Sequence, residues 1–311
     1  MLINPAGGRG RVLRHRAELE ALARRHGVPW EGTDSAQDLI ARARQAASAG
    51  VARLLVAGGD GSQHLAVQGL AGTGTALAPL PLGSGDDLAA SLGVPIPLAE
   101  AFAHLLVAPV GSIDLIRCSE ATGFDRFIEP PREAGRSRYL ARSAVRFSAG
   151  VASVGFDAAV SVTANRMRRV PRSLLYRVAA LRTLARFRTP HLSLRWDTGG
   201  WCGAGLFVAV ANTARYGGGM RVAPDACPDD GVLDIVVVEA VSKVTVLRLF
   251  PRIYSGRHVE HPKVHVIRSR SVDVVADRPL PAQGDGEALA APSTRWSFEI
   301  VPAGLRVVQA G

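Results

Sequence analysis

The sequence has few cysteines, few aromatic residues, fewer acidic than basic residues and no long apolar run. Its three cysteines, Cys118, Cys202 and Cys227, lack C-x-x-C spacing, which argues against a zinc site or a disulfide framework and favours a reducing cytoplasm. No stretch stays apolar over the roughly 18 residues that a membrane-spanning helix needs, and no secretory signal is recognised. We therefore expect a cytoplasmic protein, with any membrane contact peripheral and at the inner face.

The deficit of acidic residues gives a formal net charge of +10 at pH 7, nearly all of it carried by arginine. This charge suits a polyanionic partner such as nucleic acid, an anionic membrane surface or nucleotide phosphates. It also fits a chain that arginine merely keeps soluble. No helix-turn-helix, zinc or RNA-recognition signature accompanies the charge, so we expect no nucleic-acid partner.

Strand and helix patterns alternate over the first third of the chain. Short apolar runs predict strands at 2–3, 54–57, 75–80 and 112–117. Helical patterns are predicted at 13–26, 35–50 (with Ser35 and Asp38 as a capping box) and 97–108. This alternation with short turns predicts an open, doubly wound α/β sheet, which we assign to a domain over 1–117.

The second part of the chain has a different pattern. A polar segment near 119–142 is interpreted as a loop or insertion. Strands are then predicted at 147–155, 192–196, 205–211, 232–238, 264–267, 272–276, 296–301 and 305–308, with one helix near 242–253. We expect a β-sandwich-like domain over 118–299, and we leave open whether the strand in 300–311 returns to the first domain.

Three glycine-rich turns each follow a strand of the α/β pattern: NPAGGRG (4–10), GGDGS (58–62) and PLGSGDDL (81–88). Glycine allows a sharp bend and leaves its amides open to a ligand, and a helix that starts there offers an anion site. Ligands of such sheets bind beyond the carboxyl ends of the strands, so the turns can converge. Asp60, inside this anion site, indicates a cation such as Mg²⁺. A purely structural turn gives the same local pattern.

Acidic turns mark the second half of the chain. The segments are NTARYGGGMRV (212–222), APDACPDDGVLD (223–234) and QGDGE (283–287). Clustered aspartates suit a hard cation with oxygen ligands. They equally suit Asx turns and, for QGDGE, an ordinary two-residue hairpin.

A helix predicted over 168–188 carries seven arginines and no acidic residue. Leu174, Leu175, Val178 and Leu181 have the spacing of one helix face. Such a basic amphipathic helix either lies on anionic lipid or packs on the core as an ordinary surface helix.

Six segments, in order and across both domains, resemble the diacylglycerol kinase catalytic family of bacterial lipid kinases, which is related to the sphingosine kinases. They are NPAGGRG (4–10), GGDGS (58–62), PLGSGDDLA (81–89), VASVGFDA (151–158), YGGGMRVAPDACPDDGVLD (216–234) and QGDGE (283–287). The resemblance implies an ATP-dependent kinase that phosphorylates a membrane lipid hydroxyl, foremost that of diacylglycerol, to give phosphatidic acid. It also implies a nucleotide site between the two domains, and it leaves a homodimer open.

The resemblance implies roles for individual residues. Asp60 matches the aspartate of a Mg²⁺ network, and Asp230, with backbone oxygens near Cys227 and Val232, matches a structural magnesium site. Asp285 matches the proposed general base, with Glu287 beside it. The positions that match the ATP-holding segments are Asn4, Gly58, Gly59, Asp60, Gly61, Ser62, Gly83, Ser84, Gly85 and Asp86.

Three departures from the family pattern leave rate and nucleotide preference open. Ser62 replaces threonine, His64-Leu65 replaces Asn-Glu, and Asp86 replaces an asparagine that usually faces the nucleotide. A further negative charge near phosphate is unfavourable unless it meets a cation or a ribose hydroxyl. A non-catalytic lipid- or nucleotide-binding regulator is therefore the main alternative. NAD kinase and phosphofructokinase-like enzymes share the GGDG turn but lack the PLGSGDDLA and QGDGE pair.

Overall fold

The computed structural model describes residues 1–121, 145–167, 170 and 172–309, and these form two compact units. Unit 1 comprises Met1–Leu115, Arg215–Gly219 and Val301–Gly311, and unit 2 comprises Ile116–Ala214 and Met220–Ile300. The polar segment interpreted as an insertion near 119–142 lies, from residue 122 onward, outside the described residues. The α/β class predicted for the first part and the β-sandwich-like class predicted for the second are both confirmed.

Unit 1 is built on parallel strands, two of which read as nearly continuous apolar runs. The order is β2 (Glu31–Gly32), β1 (Leu2–Ile3), β3 (Arg53–Gly58), β4 (Ala76–Pro81) and the end of β15 (Ser293–Val308). Strands β3 and β4 are buried almost throughout, as expected for parallel strands covered by helices on both faces. The helices are α1 (Arg11–Arg14), α2 (Arg16–Arg25), α3 (Ala36–Ser48), α4 (Asp60–Leu70), α5 (Asp87–Ser91) and α6 (Leu98–Val107).

The strand order of unit 1 places a topological switch point between β1 and β3. From β1 the chain moves to β2 on one side, and it then returns to β3 on the other side. Loops that leave neighbouring strands in opposite directions open a crevice at their carboxyl ends, which is where α/β sheets bind ligands. The first and second glycine turns follow these two strands.

Two helix predictions in unit 1 had different outcomes. Ser35 caps α3 as predicted, because its Oγ accepts a hydrogen bond from the N–H of Asp38 over 3.0 Å. The single helix predicted over 13–26 is wrong in its start and continuity: a 3-10 turn at Gly7–Gly10 leads into α1, and α1 and α2 are separate. His15 lies between them with φ −96° and ψ 5°, outside the α-helical region.

Unit 2 consists of two antiparallel layers that share the long strand β9 (Gly199–Ala211). The first half of β9 pairs with β8 (His191–Trp196), which pairs with β12 (Ser271–Leu280), and β12 pairs with β15. The second half of β9 lies between β7 (Val151–Gly155) and β10 (Leu233–Glu239). Further pairings join β5 (Val110–Glu120) to β6 (Arg146–Ser148), β10 to β11 (Val264–Ser269), β7 to β13 (Ala282–Gly284), and β13 to β14 (Glu287–Ala288).

Alternate residues of both layers form the hydrophobic core of unit 2. One layer contributes Leu192, Leu194 and Phe298, and the other contributes Val208 and Ile235, all fully buried. Every second residue of a strand points to the same face, so this alternation is the pattern of a sandwich. The two strands predicted at 296–301 and 305–308 are instead one strand, β15. Its backbone bends at a residue with φ +49° without ending the strand.

Two helices follow β7, and a third precedes β11. These are α7 (Phe156–Arg166), α8 (Arg172–Arg186) and α9 (Lys243–Leu249). Helix α8 packs on α7, and a hydrogen bond joins Thr183 Oγ1 to Thr163 Oγ1 over 3.0 Å. The prediction that these leucines share one face of α8 is wrong in part: Leu175 is buried, but Leu174 and Leu181 are exposed. The reason is helical periodicity, since Leu174 and Leu181 share one side of the helix and Leu175 is turned away from it. Over the residues described, no helix has the length and apolar character to cross a bilayer.

Candidate active site

The turn after β1 contacts the start of α4 through side chains. Asn4 Nδ2 donates a hydrogen bond to Ser62 Oγ over 2.9 Å, and the N–H of Asn4 donates to the carbonyl oxygen of Ala57 on β3. Gly7 fits against the same serine, because a Cβ at Gly7 would lie 3.1 Å from Ser62 Oγ. The first and second glycine turns are therefore joined, and the Ser62 hydroxyl is part of the junction.

The second and third glycine turns meet through their backbones. A Cβ on Gly59 would lie 2.8 Å from Cα of Gly83, and a Cβ on Gly83 would lie 2.6 Å from Cα of Gly59. A side chain on Gly8 would collide with the carbonyl oxygen of Leu82, so the first turn also contacts the third. Only glycine permits backbone approach this close. The three turns thus gather beyond the carboxyl ends of β1, β3 and β4.

Helix α4 begins at the point where the turns meet. Its N-cap is Gly59, which has no side chain that could accept hydrogen bonds from the first-turn amides. Unsatisfied N–H groups at a helix N-terminus, with the positive end of the helix dipole, bind anions such as phosphate. The predicted positions Gly58 and Gly61 lie at the end of β3 and in the first turn of α4.

Asp60 anchors the third glycine turn. Its Oδ1 accepts a hydrogen bond from the N–H of Asp87 over 2.7 Å, and its Oδ2 accepts one from the N–H of Asp86 over 3.0 Å. Gly85 is close by, since a Cβ there would lie 2.7 Å from Asp60 Oδ2, whereas Ser84 is exposed. The carboxylate that indicated a cation in the sequence therefore also holds the start of α5.

Asp87 is a site residue that the sequence analysis did not single out. Its Oδ2 accepts a hydrogen bond from the N–H of Gly218 over 2.7 Å, and its Oδ1 accepts one from the N–H of Gly219 over 2.9 Å. Both glycines have positive φ, which explains a run of three glycines at 217–219. Burial raises the pKa of Asp87, and the negative charge of Asp60 adds to this, against the two amides and Arg215. The second aspartate at the start of α5 was the available signal, because acidic residues favour helix N-termini.

Asp86 occupies an unusual position for a charged residue. Its backbone is left-handed, with φ +53°, and its Oδ1 accepts a hydrogen bond from the N–H of Gly83 over 2.7 Å. Burial raises its pKa to about 6, and the carboxylates of Asp60 and Asp87 contribute, while the Gly83 amide and Arg11 oppose the shift. The Arg11 guanidinium also donates to the carbonyl oxygen of Gly83.

Three carboxylates therefore lie at the place where triphosphate binding is expected. The described residues contain no group of three or more His, Cys, Asp or Glu side chains arranged to hold a metal ion. Mg²⁺ does not require one, since it is usually held by one or two carboxylates together with phosphate oxygens and water. The oxygen donors of Asp60 and Asp87 fit this chemistry, and a cation there would offset the mutual repulsion of the carboxylates.

In unit 2, Asp285 lies at the tip of the β13–β14 hairpin. Asp285 and Gly286 have φ +51° and +86°, as a two-residue type I′ turn requires, so the hairpin interpretation of QGDGE is confirmed. The Asp285 carboxylate turns back onto the loop that precedes β7. Its Oδ1 accepts hydrogen bonds from Ser148 Oγ, Gly150 N and Val151 N, and its Oδ2 accepts one from Ala149 N.

A buried polar cluster supports this hairpin. Gln283 Nε2 donates to Ser153 Oγ over 2.9 Å and to Asp157 Oδ2 over 3.1 Å, and its Oε1 accepts from the N–H of Gly286. Ser153 Oγ donates to Asp157 Oδ2 over 2.6 Å. The orientation of the hairpin is thus fixed by hydrogen bonds to β7 and α7. Glu287, beside the turn on β14, is exposed.

At the predicted structural magnesium site, the Asp230 carboxylate is bound by groups of the protein itself. Asp230 Oδ1 accepts from the N–H of Val232 over 3.2 Å, and its Oδ2 forms an ion pair with the guanidinium of Arg268. Cys227 Sγ donates to Asp229 Oδ1 over 3.2 Å. A metal would compete with Arg268 for the Asp230 carboxylate, so magnesium at this position stays a prediction.

Family profiles match the two parts of the chain in order. Residues 1–118 match the diacylglycerol kinase catalytic domain, and residues 150–309 match the YegS C-terminal NAD kinase beta sandwich-like domain. The second match alone covers about half of the chain.

Relatives and solved structures agree with these matches. A diacylglycerol kinase of Mycobacterium tuberculosis is 33% identical over 280 residues, which cover 88% of this chain and 83% of that protein. A "Probable lipid kinase YegS-like" of Xanthomonas oryzae pv. oryzae is 28% identical over 298 residues, covering 90% and 84%. The crystal structure of a diacylglycerol kinase from Bacillus anthracis str. Sterne has the same fold, with a TM-score of 0.65 at 17% identity, covering 99% and 95%.

The chain therefore belongs to the family of diacylglycerol kinases and YegS-like lipid kinases. Membership supports a lipid kinase, a phosphotransferase for which ATP is the implied co-substrate.

Gly59→Ala is expected to weaken unit 1, because its methyl carbon would lie 2.8 Å from Cα of Gly83. The φ of Gly59 is −96°, so backbone strain does not contribute. We expect a loss of about 1–3 kcal/mol in the free energy of unfolding, together with weaker ATP binding, measured by urea denaturation and calorimetry. Gly74→Ala is the matched control, since a methyl group there meets no atom within 4 Å. Equal stability of the two variants would contradict the close approach of the turns.

Asp86→Asn is expected to stabilise the protein in a pH-dependent way. Because the pKa of Asp86 is about 6 in the folded state against 3.8 ordinarily, the folded state binds the proton more tightly, and wild-type stability falls as pH rises between these values. Asparagine retains an acceptor for the Gly83 amide and tolerates positive φ. The variant should match wild type near about pH 4 and exceed it by about 1–3 kcal/mol above about pH 7. The measurement is chemical denaturation of both proteins over this pH range. A difference in free energy of unfolding between variant and wild type that stays constant across pH would refute the charge argument.

Proposed function

We propose that the protein transfers the γ-phosphate of ATP to the free hydroxyl of diacylglycerol, giving phosphatidic acid and ADP. The observation that carries the proposal is the gathering of three glycine turns beyond β1, β3 and β4, next to the N-terminus of α4. The acceptor lipid is inferred from the M. tuberculosis relative, which is named as a diacylglycerol kinase. Membership of the family supports a lipid kinase, and the choice of diacylglycerol as the acceptor is our proposal.

The glycine turns have the groups that phosphate binding requires. Their amides, together with the first-turn amides of α4, are donors that need no side-chain movement. Phosphoryl transfer depends on positioning and charge neutralisation more than on covalent help from the protein. Asp60 and Asp87 would hold Mg²⁺, which would supply positive charge to neutralise the phosphates. Asn4 and Ser62 would orient the turns around the nucleotide through their mutual hydrogen bond.

Asp285 is our candidate for the general base. In this role its carboxylate takes the proton of the acceptor hydroxyl as the bond between the hydroxyl oxygen and the γ-phosphorus forms. Four donors from Ser148, Ala149, Gly150 and Val151 hold the carboxylate in one orientation. A general base must be positioned before its basicity matters, so this rigid setting suits the role. Glu287 is proposed as an accessory carboxylate of the same hairpin.

A lipid panel with ATP and Mg²⁺ tests the proposed reaction, with mass spectrometry identifying the products. We expect phosphatidic acid from diacylglycerol in mixed micelles. Phosphorylation of a long-chain base or ceramide in preference would revise the acceptor but retain the lipid kinase. Conversion of NAD to NADP would favour the NAD kinase-like alternative, and ATP binding without any product would favour a non-catalytic regulator.

Asp285→Asn is expected to lower kcat by about 10²–10⁴-fold, because the variant lacks a group that accepts the hydroxyl proton. ATP affinity should be unchanged, since the glycine turns are intact. The amide also places an NH₂ group among backbone donors, so thermal unfolding must be measured in parallel. Ser148→Ala is the positional control: it removes one of the four donors but keeps the carboxylate, and it should reduce kcat far less. Near-normal turnover of a folded Asp285→Asn variant would end the assignment.

A further inference from the structure

Helix α8 carries an apolar stripe on its exposed side. Leu174 and Leu181 are 46% and 52% exposed and are two helical turns apart, so they lie on the same side of the helix. Val178 and Ala185 share this side by the same periodicity. The opposite side packs inward through Leu175, Ala179 and Leu184. Helix α8 is thus apolar on both sides, although only one of them is buried.

Basic residues flank the exposed stripe. In the helical projection Arg177 lies on one side of the stripe and Arg182 lies on the other, and both are exposed. Helix α8 contains no aspartate or glutamate. Within the described part of the chain, neither arginine lies within ion-pair distance of a carboxylate. Among the residues that the structure describes, no acidic group therefore neutralises their positive charges.

Helix α9 begins close to the end of α8. Lys243 Nζ donates a hydrogen bond to the carbonyl oxygen of Ala185 over 3.0 Å, which places the start of α9 next to the end of the stripe. Val244 and Leu247 on α9 are 57% and 49% exposed, and Arg248 beside them is exposed. Helix α9 also lacks acidic residues. We call the exposed sides of these two helices the α8–α9 surface.

We propose that the α8–α9 surface docks the protein on an anionic lipid bilayer. Its leucines and valines would enter the interfacial region, while its arginines and Lys243 would contact head-group phosphates. The inference rests on the proposed function, because a lipid kinase must reach an acceptor that lies in a bilayer. It identifies the part of the molecule that makes this contact.

Charge favours a bilayer over a second copy of the chain as the occupant. In a two-fold symmetric dimer the same patch meets itself, so Arg177 and Arg182 would face basic residues of the other copy. Neither helix offers an acidic group that would compensate. Anionic head groups supply the opposite charge in two dimensions, and flanking arginines are typical of helices that lie in the membrane interface.

Vesicle co-sedimentation of the full chain tests the proposal. The probes are vesicles of phosphatidylcholine alone and of phosphatidylcholine with phosphatidylserine, at low and high salt. Wild type should bind the phosphatidylserine vesicles more tightly, and salt should weaken this binding. Leu174→Ser with Leu181→Ser, and separately Arg177→Glu with Arg182→Glu, should each lower the partition coefficient by at least about tenfold. Val244→Ser with Leu247→Ser should act in the same direction.

Matched controls carry the same changes elsewhere. Ile96→Ser with Val107→Ser removes apolar side chains that are 86% and 81% exposed in unit 1. Arg14→Glu with Arg25→Glu reverses two exposed arginines of α1 and α2. Both controls should bind vesicles like wild type. Equal losses in the control and α8–α9 variants would show a general charge or hydrophobicity effect and would overturn the proposal.

Kinase assays separate this inference from the proposed function. The α8–α9 variants should phosphorylate a short-chain diacylglycerol in detergent at the wild-type rate, but diacylglycerol embedded in vesicles more slowly. No activity of wild type towards any lipid would refute the proposed function, whatever the vesicle binding. Wild type that does not bind phosphatidylserine vesicles would refute the docking proposal. The docking proposal would also be refuted if the α8–α9 variants bound vesicles like wild type but differed from it in oligomeric state, as measured by light scattering.

Discussion

The carboxylate of Asp60 connects most of the candidate nucleotide site in unit 1. It accepts hydrogen bonds from the amides of Asp86 and Asp87, which lie at the start of α5, the helix that follows the third glycine turn. Asp87 in turn holds the amides of Gly218 and Gly219. Each carboxylate thus fixes a backbone segment that is distant in sequence. Burial raises the pKa of Asp86 and of Asp87, and the negative charge of Asp60 adds to both shifts.

Glycine makes this connection geometrically possible. The turns after β1, β3 and β4 approach so closely that a Cβ on Gly59 or Gly83 would overlap the neighbouring backbone. The absence of side chains leaves amides available to a phosphate and allows the carboxylates to reach across. The repulsion among Asp60, Asp86 and Asp87 gives a bound cation a physical role in the proposed reaction, beyond the neutralisation of phosphate.

The Asp285 hairpin shows how one motif satisfies two interpretations. Asp-Gly predicted a hairpin turn, and the structure has one, with both turn residues at positive φ. The carboxylate, however, does not extend into solvent as a simple turn residue would. It accepts hydrogen bonds from the Ser148 hydroxyl and from the three backbone amides that follow Ser148. Gln283 holds the hairpin in place through its hydrogen bond to Ser153 on β7. Structural necessity and the proposed catalytic role therefore rest on the same side chain, which is why the stability of its variants must be measured.

Local sequence patterns determined most strands and helices, the Ser35 cap and the glycine turns, because these depend on burial periodicity and on backbone freedom at single residues. Order along the chain also indicated the family, through six motifs that are individually weak. Only the tertiary structure decided which residues meet: that Asp87 binds Gly218, that Arg268 pairs with Asp230, and that Leu174 faces outward while Leu175 is buried. Contacts between residues far apart in sequence depend on how the elements pack, and the spacing of residues within a segment carries no record of that packing.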